Sequence, residues 1–268
     1  MSKKFYFISG LPRSGNTLLS TILSQNPDIG SVGQSCTTDI FTSINLVEQT
    51  PRFLSWKDEK GLSNIYSSIF QTYYSHWDKK YVIERSDWIV ESNFRFLETY
   101  CPNKPKIVIL VRDVLEIIKS FLYLAKNYPR FFINQEASNF LKIRPESLTD
   151  KNRIETIMRP DGYVVQLLKS IQGFVKSNNQ YIIVEYNDLV LNTEDTINSI
   201  YDFYDIPRFK HNYKHLNQLS SNGIQYNDYV YGGPLHYINS EKVELSNKQV
   251  FLDEETIRKY SGLEVWKK

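Results

Sequence analysis

The chain has 268 residues, long enough to bury a substantial core in one α/β domain, or one domain with a helical elaboration. Apolar residues at 41% and charged residues at 23% exclude a disordered chain, and a formal charge of +2 is too small to attract nucleic acid through a global field. Any anion site therefore depends on local placement of Arg and Lys, and the two cysteines, Cys36 and Cys101, give neither a disulfide framework nor metal-ligand spacing, which suits a reducing compartment.

Residues 1–4 run straight into Phe5-Tyr6-Phe7-Ile8, an apolar run too short for a signal peptide and without a small-residue cleavage site. It predicts a first strand at 4–9, and a cytoplasmic location is expected. No stretch approaches the roughly 18 uninterrupted apolar residues of a membrane helix. Gly10-Leu11-Pro12-Arg13-Ser14-Gly15-Asn16-Thr17 follows, and then Leu18, Leu19, Ile22 and Leu23 recur at helical spacing until Asn26-Pro27-Asp28 stops them.

Helices are predicted at 38–50 and 59–77 and a short strand at Tyr81-Val82-Ile83. The β-branched run Ile107-Val108-Ile109-Leu110-Val111 has the pattern of a strand buried on both faces of a parallel sheet. Arg112-Asp113 ends it, and Val114, Ile117, Ile118, Phe121, Leu122 and Ala125 then trace one face of an amphipathic helix. A surface excursion is expected over 127–153, a helix at about 156–176, a buried strand at Tyr181-Ile182-Ile183-Val184 and a helix around 193–204. The Asn-, Gly- and Tyr-rich stretch to about 250 reads as a long ordered loop over a site.

The segment from Gly10 to Thr17 has the spacing G-x-x-x-x-G-x-T between a strand and a helix, where backbone N–H groups and the helix dipole can hold an anion. Asn16 stands where a nucleoside-triphosphatase carries its Lys, and the cation, Arg13, lies inside the loop instead. An isolated glycine pair forms a tight turn and nothing more; here strand, loop cation, Ser14 and Thr17 hydroxyls and amphipathic helix agree on one anion site.

At these residues the sequence resembles the sulfotransferase family, in particular the branch with a P-R-S-G-x-T loop that includes tyrosylprotein sulfotransferases and many bacterial members. The resemblance implies a three-layer α/β, P-loop-like fold with a central parallel sheet in a single domain spanning 1–268. It also implies 3′-phosphoadenosine 5′-phosphosulfate (PAPS) as co-substrate and no metal. Arg13, Ser14, Gly15, Asn16 and Thr17 would hold the 5′-phosphosulfate, with Arg13 stabilising charge on the sulfuryl group. Arg112 and Ser120, eight residues apart, match the family pair that grips the 3′-phosphate, where Arg can offer a bidentate fork. Val184-Glu185-Tyr186-Asn187-Asp188-Leu189 is similar to the segment whose Tyr helps position the nucleotide, so Tyr186 is a further candidate, alongside the reading as a core tyrosine.

Gly232-Gly233-Pro234-Leu235-His236-Tyr237-Ile238 and Tyr260-Ser261-Gly262-Leu263-Glu264-Val265-Trp266 resemble C-terminal parts of bacterial sulfotransferases. There the loop supplies basic residues to the phosphates, which implies Lys242 or Lys248; the Arg usual after the His-x-Ile segment is replaced by Asn239. The tyrosylprotein branch carries its base in a Gly-Glu-Glu segment, and the matching Gly33-Gln34-Ser35 has no carboxylate. The search for a base moves to Glu84, Asp87, Asp39 and His76, with Glu84 preferred, and Arg85 takes the place of a catalytic Lys. The other reading of Glu84, Arg85 and Asp87 is an exposed ion-pair cluster. His211, His215 and His236 lack metal-ligand spacing and are expected at the surface or in loops.

Tyr and Trp at 56, 66, 73, 74, 77, 88 and 100 are candidates for either an acceptor pocket or the core. The acceptor site is expected beneath the helices at 38–77 and the loop after 206, and the acceptor itself is a small molecule, saccharide or peptide. Two rival functions remain open on the sequence: a small-molecule kinase using ATP, and a nucleotide-binding module without turnover.

Overall fold

Phe5 and Phe7 point to one face of the first strand and Tyr6 and Ile8 to the other, and all four are buried. A strand buried on both faces must lie inside a sheet covered twice. In the computed structural model, which describes residues 3–217, 220–236, 238, 241–245 and 249–267, β1 (Lys4–Gly10) is the middle of five parallel strands. The others are β2 (Ile29–Ser31), β3 (Tyr81–Arg85), β4 (Ile107–Val111) and β5 (Tyr181–Glu185), in the order β2-β3-β1-β4-β5. Helices on both faces complete three layers, as the sequence predicts.

One face carries α1 (Asn16–Leu23) and α11 (Thr193–Tyr204), whose Leu19, Ile22, Ile197 and Tyr201 pack on Tyr6 and Ile8. The opposite face carries α2 (Thr37–Glu48), α4 (Glu59–Tyr73), α5 (Glu91–Tyr100), α6 (Val114–Asn127) and α9 (Tyr163–Val175) around Phe5, Phe7, Phe70 and Trp88. A short α3 (Pro51–Ser55) lies between α2 and α4, and α10 (Tyr186–Leu191) follows β5 directly. Of the aromatic candidates for an acceptor pocket, Tyr66, Tyr74, Trp77 and Trp88 belong to this core, while Trp56 is 82% exposed.

Three sequence expectations need correction. The stretch 127–153 is not a bare surface excursion: it contains α7 (Phe132–Leu141) and the start of α8 (Asp150–Ile157). Buried Asn134 ties α7 to its neighbours, donating to the Ala125 carbonyl at 2.8 Å and accepting from Arg153 Nε at 2.8 Å, contacts that no periodicity announces. The helix expected at 156–176 is two helices, because Pro160 has no N–H to continue α8 and Gly162 starts α9. The strand at 181–185 lies at the sheet edge and is only partly buried. The sequence reading has no element at 91–100, where α5 buries only Phe94 and Leu97.

Parallel strands bring loops to one end of the sheet, and the order reverses at β1, with β3 on one side and β4 on the other. Ligands bind at such a switch point, beyond the carboxyl ends of the strands. Gly10 ends β1 there with φ 132°, and a Cβ on it would sit 2.0 Å from the Leu110 carbonyl oxygen of β4. Gly10→Ala is therefore expected to destabilise the fold by about 2 kcal/mol or more, read as a lower urea midpoint; a loss below about 0.5 kcal/mol would contradict this packing.

Candidate active site

The loop after β1 is strained and braced from within. Arg13 adopts φ 62°, a left-handed conformation that costs a non-glycine residue roughly 1–3 kcal/mol, and Gly15 follows at φ 87° as the N-cap of α1. Buried Asn16, at the position of the missing Lys, donates from Nδ2 to the Leu11 carbonyl at 2.9 Å and so closes the loop. The first-turn N–H groups of α1 lack partners within the helix, and its positive dipole end faces the same region. Ser14 is fully buried with its hydroxyl 3.5 Å from the Pro12 carbonyl.

Three arginines converge on this loop from three elements. Arg13 donates from Nε to Ser120 Oγ of α6 at 3.1 Å and from Nη2 to the Leu235 carbonyl at 2.8 Å. Arg112, at the end of β4, donates to the Arg13 carbonyl at 3.0 Å, lies 3.5 Å from Glu116 and stacks 4.2 Å above the Tyr186 ring. Arg85, at the end of β3, donates to the Gly33 carbonyl and to Thr17 Oγ1 at 3.4 Å. Burial, Arg112 and, more weakly, Arg85 push the Arg13 pKa down to about 10, against a pull from Asp228. Arg112 is also lowered, chiefly by burial. Its Nε is buried with no hydrogen-bond partner among the described residues.

A cavity of about 710 Å³ opens between these groups, within the roughly 300–1,000 Å³ of small-molecule sites. The loop contributes Arg13, Gly15, Asn16 and Thr17; the strand ends contribute Arg85 and Arg112; Ser120 and Tyr186 complete the predicted set. Ser14 does not line it, and neither do the base candidates Glu84, Asp87, Asp39 and His76. Lys242, one of the two lysines implied for the C-terminal loop, also lines it; beyond the prediction, α6 and its C-cap add Tyr123, Leu124 and Tyr128, and the C-terminal segment adds Leu235 and His236. No residue of the helices at 38–77 lines this cavity, whereas the loop after 206 does cover it. Asn239 and Lys248 lie outside the described residues.

His236 lies in a loop, as one of the two sequence expectations has it, but it is drawn inward and paired. Its backbone N–H and its Nδ1 both engage the Asp228 carboxylate, the second at 2.7 Å. Its segment is clamped because Gly232 and Gly233 pack where a Cβ would come within 2.5 Å of the Arg130 carbonyl and of the Tyr128 ring. The signal was present in Gly232-Gly233-Pro234-Leu235-His236, but pairing with Asp228 eight residues away needs the 3-10 turn at Asp228–Tyr231. His211 is also buried, with Nε2 3.0 Å from the Tyr201 hydroxyl.

Glu84 faces the other side of β3 from Arg85. It is fully buried, accepts from the Tyr74 hydroxyl and accepts from Thr37 Oγ1 at 3.2 Å at both carboxylate oxygens. Burial pushes it up to about 7, against the pull of Tyr74, Ser35 and Thr37. Asp87 accepts from the Tyr163 hydroxyl at 3.1 Å, and burial raises its pKa too. The geometry brings neither carboxylate to the arginine-lined cavity.

A loop of this form at the switch point of a parallel sheet, with a cationic cavity above it, is a place where an anion can be held. Residues 3–250 match the family described as the sulfotransferase domain, and the chain belongs to that family. Among solved structures it is similar to a sulfotransferase from Alicyclobacillus acidocaldarius, 13% identical, over 79% of this chain and 85% of that one, with a TM-score of 0.50. It is also similar to the sulfotransferase domain from the curacin biosynthetic pathway, 15% identical, over 78% and 76% of the two chains, with a TM-score of 0.48. None of the curated proteins matches. The likeness to the Alicyclobacillus protein is one of fold. No helix among the described residues is long and apolar enough to cross a membrane.

The raised Glu84 carboxyl has a consequence for stability. A folded pKa above the unfolded value favours the protonated form, so this contribution is complete below the unfolded pKa and is lost as pH rises through about 7. Between about pH 5 and about pH 8 the wild type should lose on the order of 1–3 kcal/mol relative to Glu84→Gln. Urea midpoints of both proteins across that interval measure it, and parallel curves would show that Glu84 does not titrate there.

Proposed function

We propose that the chain transfers the sulfuryl group of PAPS to a hydroxyl or amine acceptor by in-line displacement. The observation that carries this reading is the convergence of Arg13, Arg85 and Arg112 on one partly buried cavity, where burial and the neighbouring arginines lower the proton affinity of Arg13. Such an arrangement is relieved by a polyanion, and Arg112 Nε, without a partner among the described residues, offers it a ready donor.

In this reading the loop residues Arg13, Ser14, Gly15, Asn16 and Thr17 hold the 5′-phosphosulfate through backbone N–H groups and side chains. Arg112 and Ser120 take the 3′-phosphate, and Tyr186, which stacks on Arg112, fixes the direction of that guanidinium. The hydrogen bond from Arg13 to Ser120 couples the two anion-binding elements. PAPS supplies an activated sulfuryl group and a phosphate leaving group. Arg85 stabilises the charge that builds on the departing phosphate, and Arg13 the charge on the peripheral sulfuryl oxygens. Asn16, bound to the Leu11 carbonyl, leaves the position of a triphosphate-binding Lys without a cation, which disfavours ATP as donor. Lys242, which lines the cavity and pairs with Glu244 at 3.0 Å, is a further contact for the nucleotide. The acceptor is a small molecule, saccharide or peptide, and the free thiols Cys36 and Cys101 suit a reducing, cytoplasmic setting.

Calorimetric titration with 3′-phosphoadenosine 5′-phosphate, and separately with ATP and magnesium, tests the donor class. Binding of the bisphosphate in preference to ATP is expected, weakened about 10- to 100-fold in Arg112→Ala, the worth of a charge-assisted contact. Preference for ATP with magnesium, or binding of neither nucleotide, overturns the reading.

A further inference from the structure

Outside the arginine cluster, the cavity is lined by two side chains that can take a proton at neutral pH, His236 and Glu244, and Glu244 is paired with Lys242 at 3.0 Å. His236 lines it beside Arg13 and Arg85, and its ring is held from one edge only: Asp228 takes both the backbone N–H and Nδ1. Among the described residues Nε2 has no hydrogen-bond partner. A carboxylate on Nδ1 fixes the tautomer with the proton on that nitrogen, which leaves Nε2 as a lone-pair acceptor. The side chains of His236 and Asp228 are 21% and 13% exposed, so the pair is shielded yet reachable. The clamp of Gly232-Gly233 on residues 128–130 holds the segment still, and Leu235 is tied to the loop through Arg13.

We infer that His236 is the general base that deprotonates the acceptor hydroxyl, with Asp228 as its positioning residue. This rests on the sulfuryl-transfer reading above. The acceptor O–H gives its proton to Nε2 as the acceptor oxygen forms a bond to sulfur. The bond from sulfur to the bridging phosphate oxygen breaks, and its electron pair leaves on 3′-phosphoadenosine 5′-phosphate. The imidazolium is stabilised by Asp228 and returns its proton to water.

The groups facing the ring explain how its basicity is set. Burial lowers the pKa to about 4, Asp228 from the 3-10 turn raises it, and Arg13 from the loop and Arg85 from β3 lower it. The Tyr226 ring packs edge-on at 5.7 Å, and Lys242 and Glu244 line the same cavity. In the absence of a bound anion these influences keep the ring neutral at pH 7. A bound polyanion offsets the field of Arg13 and Arg85, so the ring becomes a stronger base when the donor is in place.

Nuclear magnetic resonance of histidine-labelled full-length chain, assigned with His236→Gln, tests this without turnover. The expected results are a proton on Nδ1 and a pKa that rises by about one or more when 3′-phosphoadenosine 5′-phosphate binds. Asp228→Asn should move the proton toward Nε2. A second readout is release of 3′-phosphoadenosine 5′-phosphate from PAPS with water as acceptor. His236→Gln should slow it about 100-fold or more while affinity for the bisphosphate stays within about threefold. A ring pKa indifferent to bound bisphosphate, or a fall in affinity that matches the fall in rate, overturns the assignment. Failure of the wild type to bind the bisphosphate at all would instead overturn the donor reading.

Discussion

Repulsion between like charges at the carboxyl end of β1 is the constraint around which the site is built. Arg13, Arg85 and Arg112 are each fixed by a neutral carbonyl oxygen, those of Leu235, Gly33 and Arg13 respectively. A carbonyl orients a guanidinium without cancelling its charge, whereas a close carboxylate would quench it. Glu116 approaches Arg112 only to 3.5 Å, and Asp228 spends its oxygens on His236. The field that remains is directed into the cavity, where an anion can use it.

Holding that field needs a rigid frame. The five-residue strand β4 is fully buried, and the absence of a side chain at Gly10 lets β1 press against the Leu110 carbonyl. The loop can then carry a left-handed Arg13, because the sheet on one side and the Asn16 bond to Leu11 on the other leave the backbone no easier path. Glu84 contributes from the far face of β3. Its bonds to Tyr74 and Thr37 fasten α4 and α2 to the strand that presents Arg85. Membership in the sulfotransferase domain family and the chemistry of the cavity thus point the same way, with the sheet as support and the strand ends as the working surface.

The C-terminal third turns an open strand-end site into a cavity. Pro234, Leu235, His236, Ile238 and residues 242–245 line the cavity from above the loop, and Trp266 Nε1 and Lys267 are fastened to Glu185 at the end of β5, each at 3.3 Å. This cover brings polar groups that the sheet does not carry, His236 and Asp228 among them. It also contributes apolar contacts from Leu235, Ile238 and Leu245, which reduce the water around charged groups and strengthen their interactions.

What the sequence determined by itself was the part governed by local periodicity and spacing. Apolar runs of strand length, the loop from Gly10 to Thr17 and the helical face from Val114 to Ala125 identified the parallel sheet. The loop pattern singled out Arg13, and the family resemblance added Arg85, Arg112, Ser120 and Tyr186; all five line the cavity, because parallel topology carries strand ends and the segments that follow them to one edge. What only the tertiary structure decided was which face a side chain takes and what it meets there. Glu84 and Arg85 are neighbours in sequence, yet strand alternation sends one into the core and the other into the cavity. Tyr66, Tyr74 and Trp88 fit a pocket or a core equally well until helix packing assigns them to the core. His236 had no periodic signal at all: its partner, Asp228, and its neighbours, Arg13 and Arg85, come from separate parts of the chain, and only the folded backbone brings their charges within reach of one another.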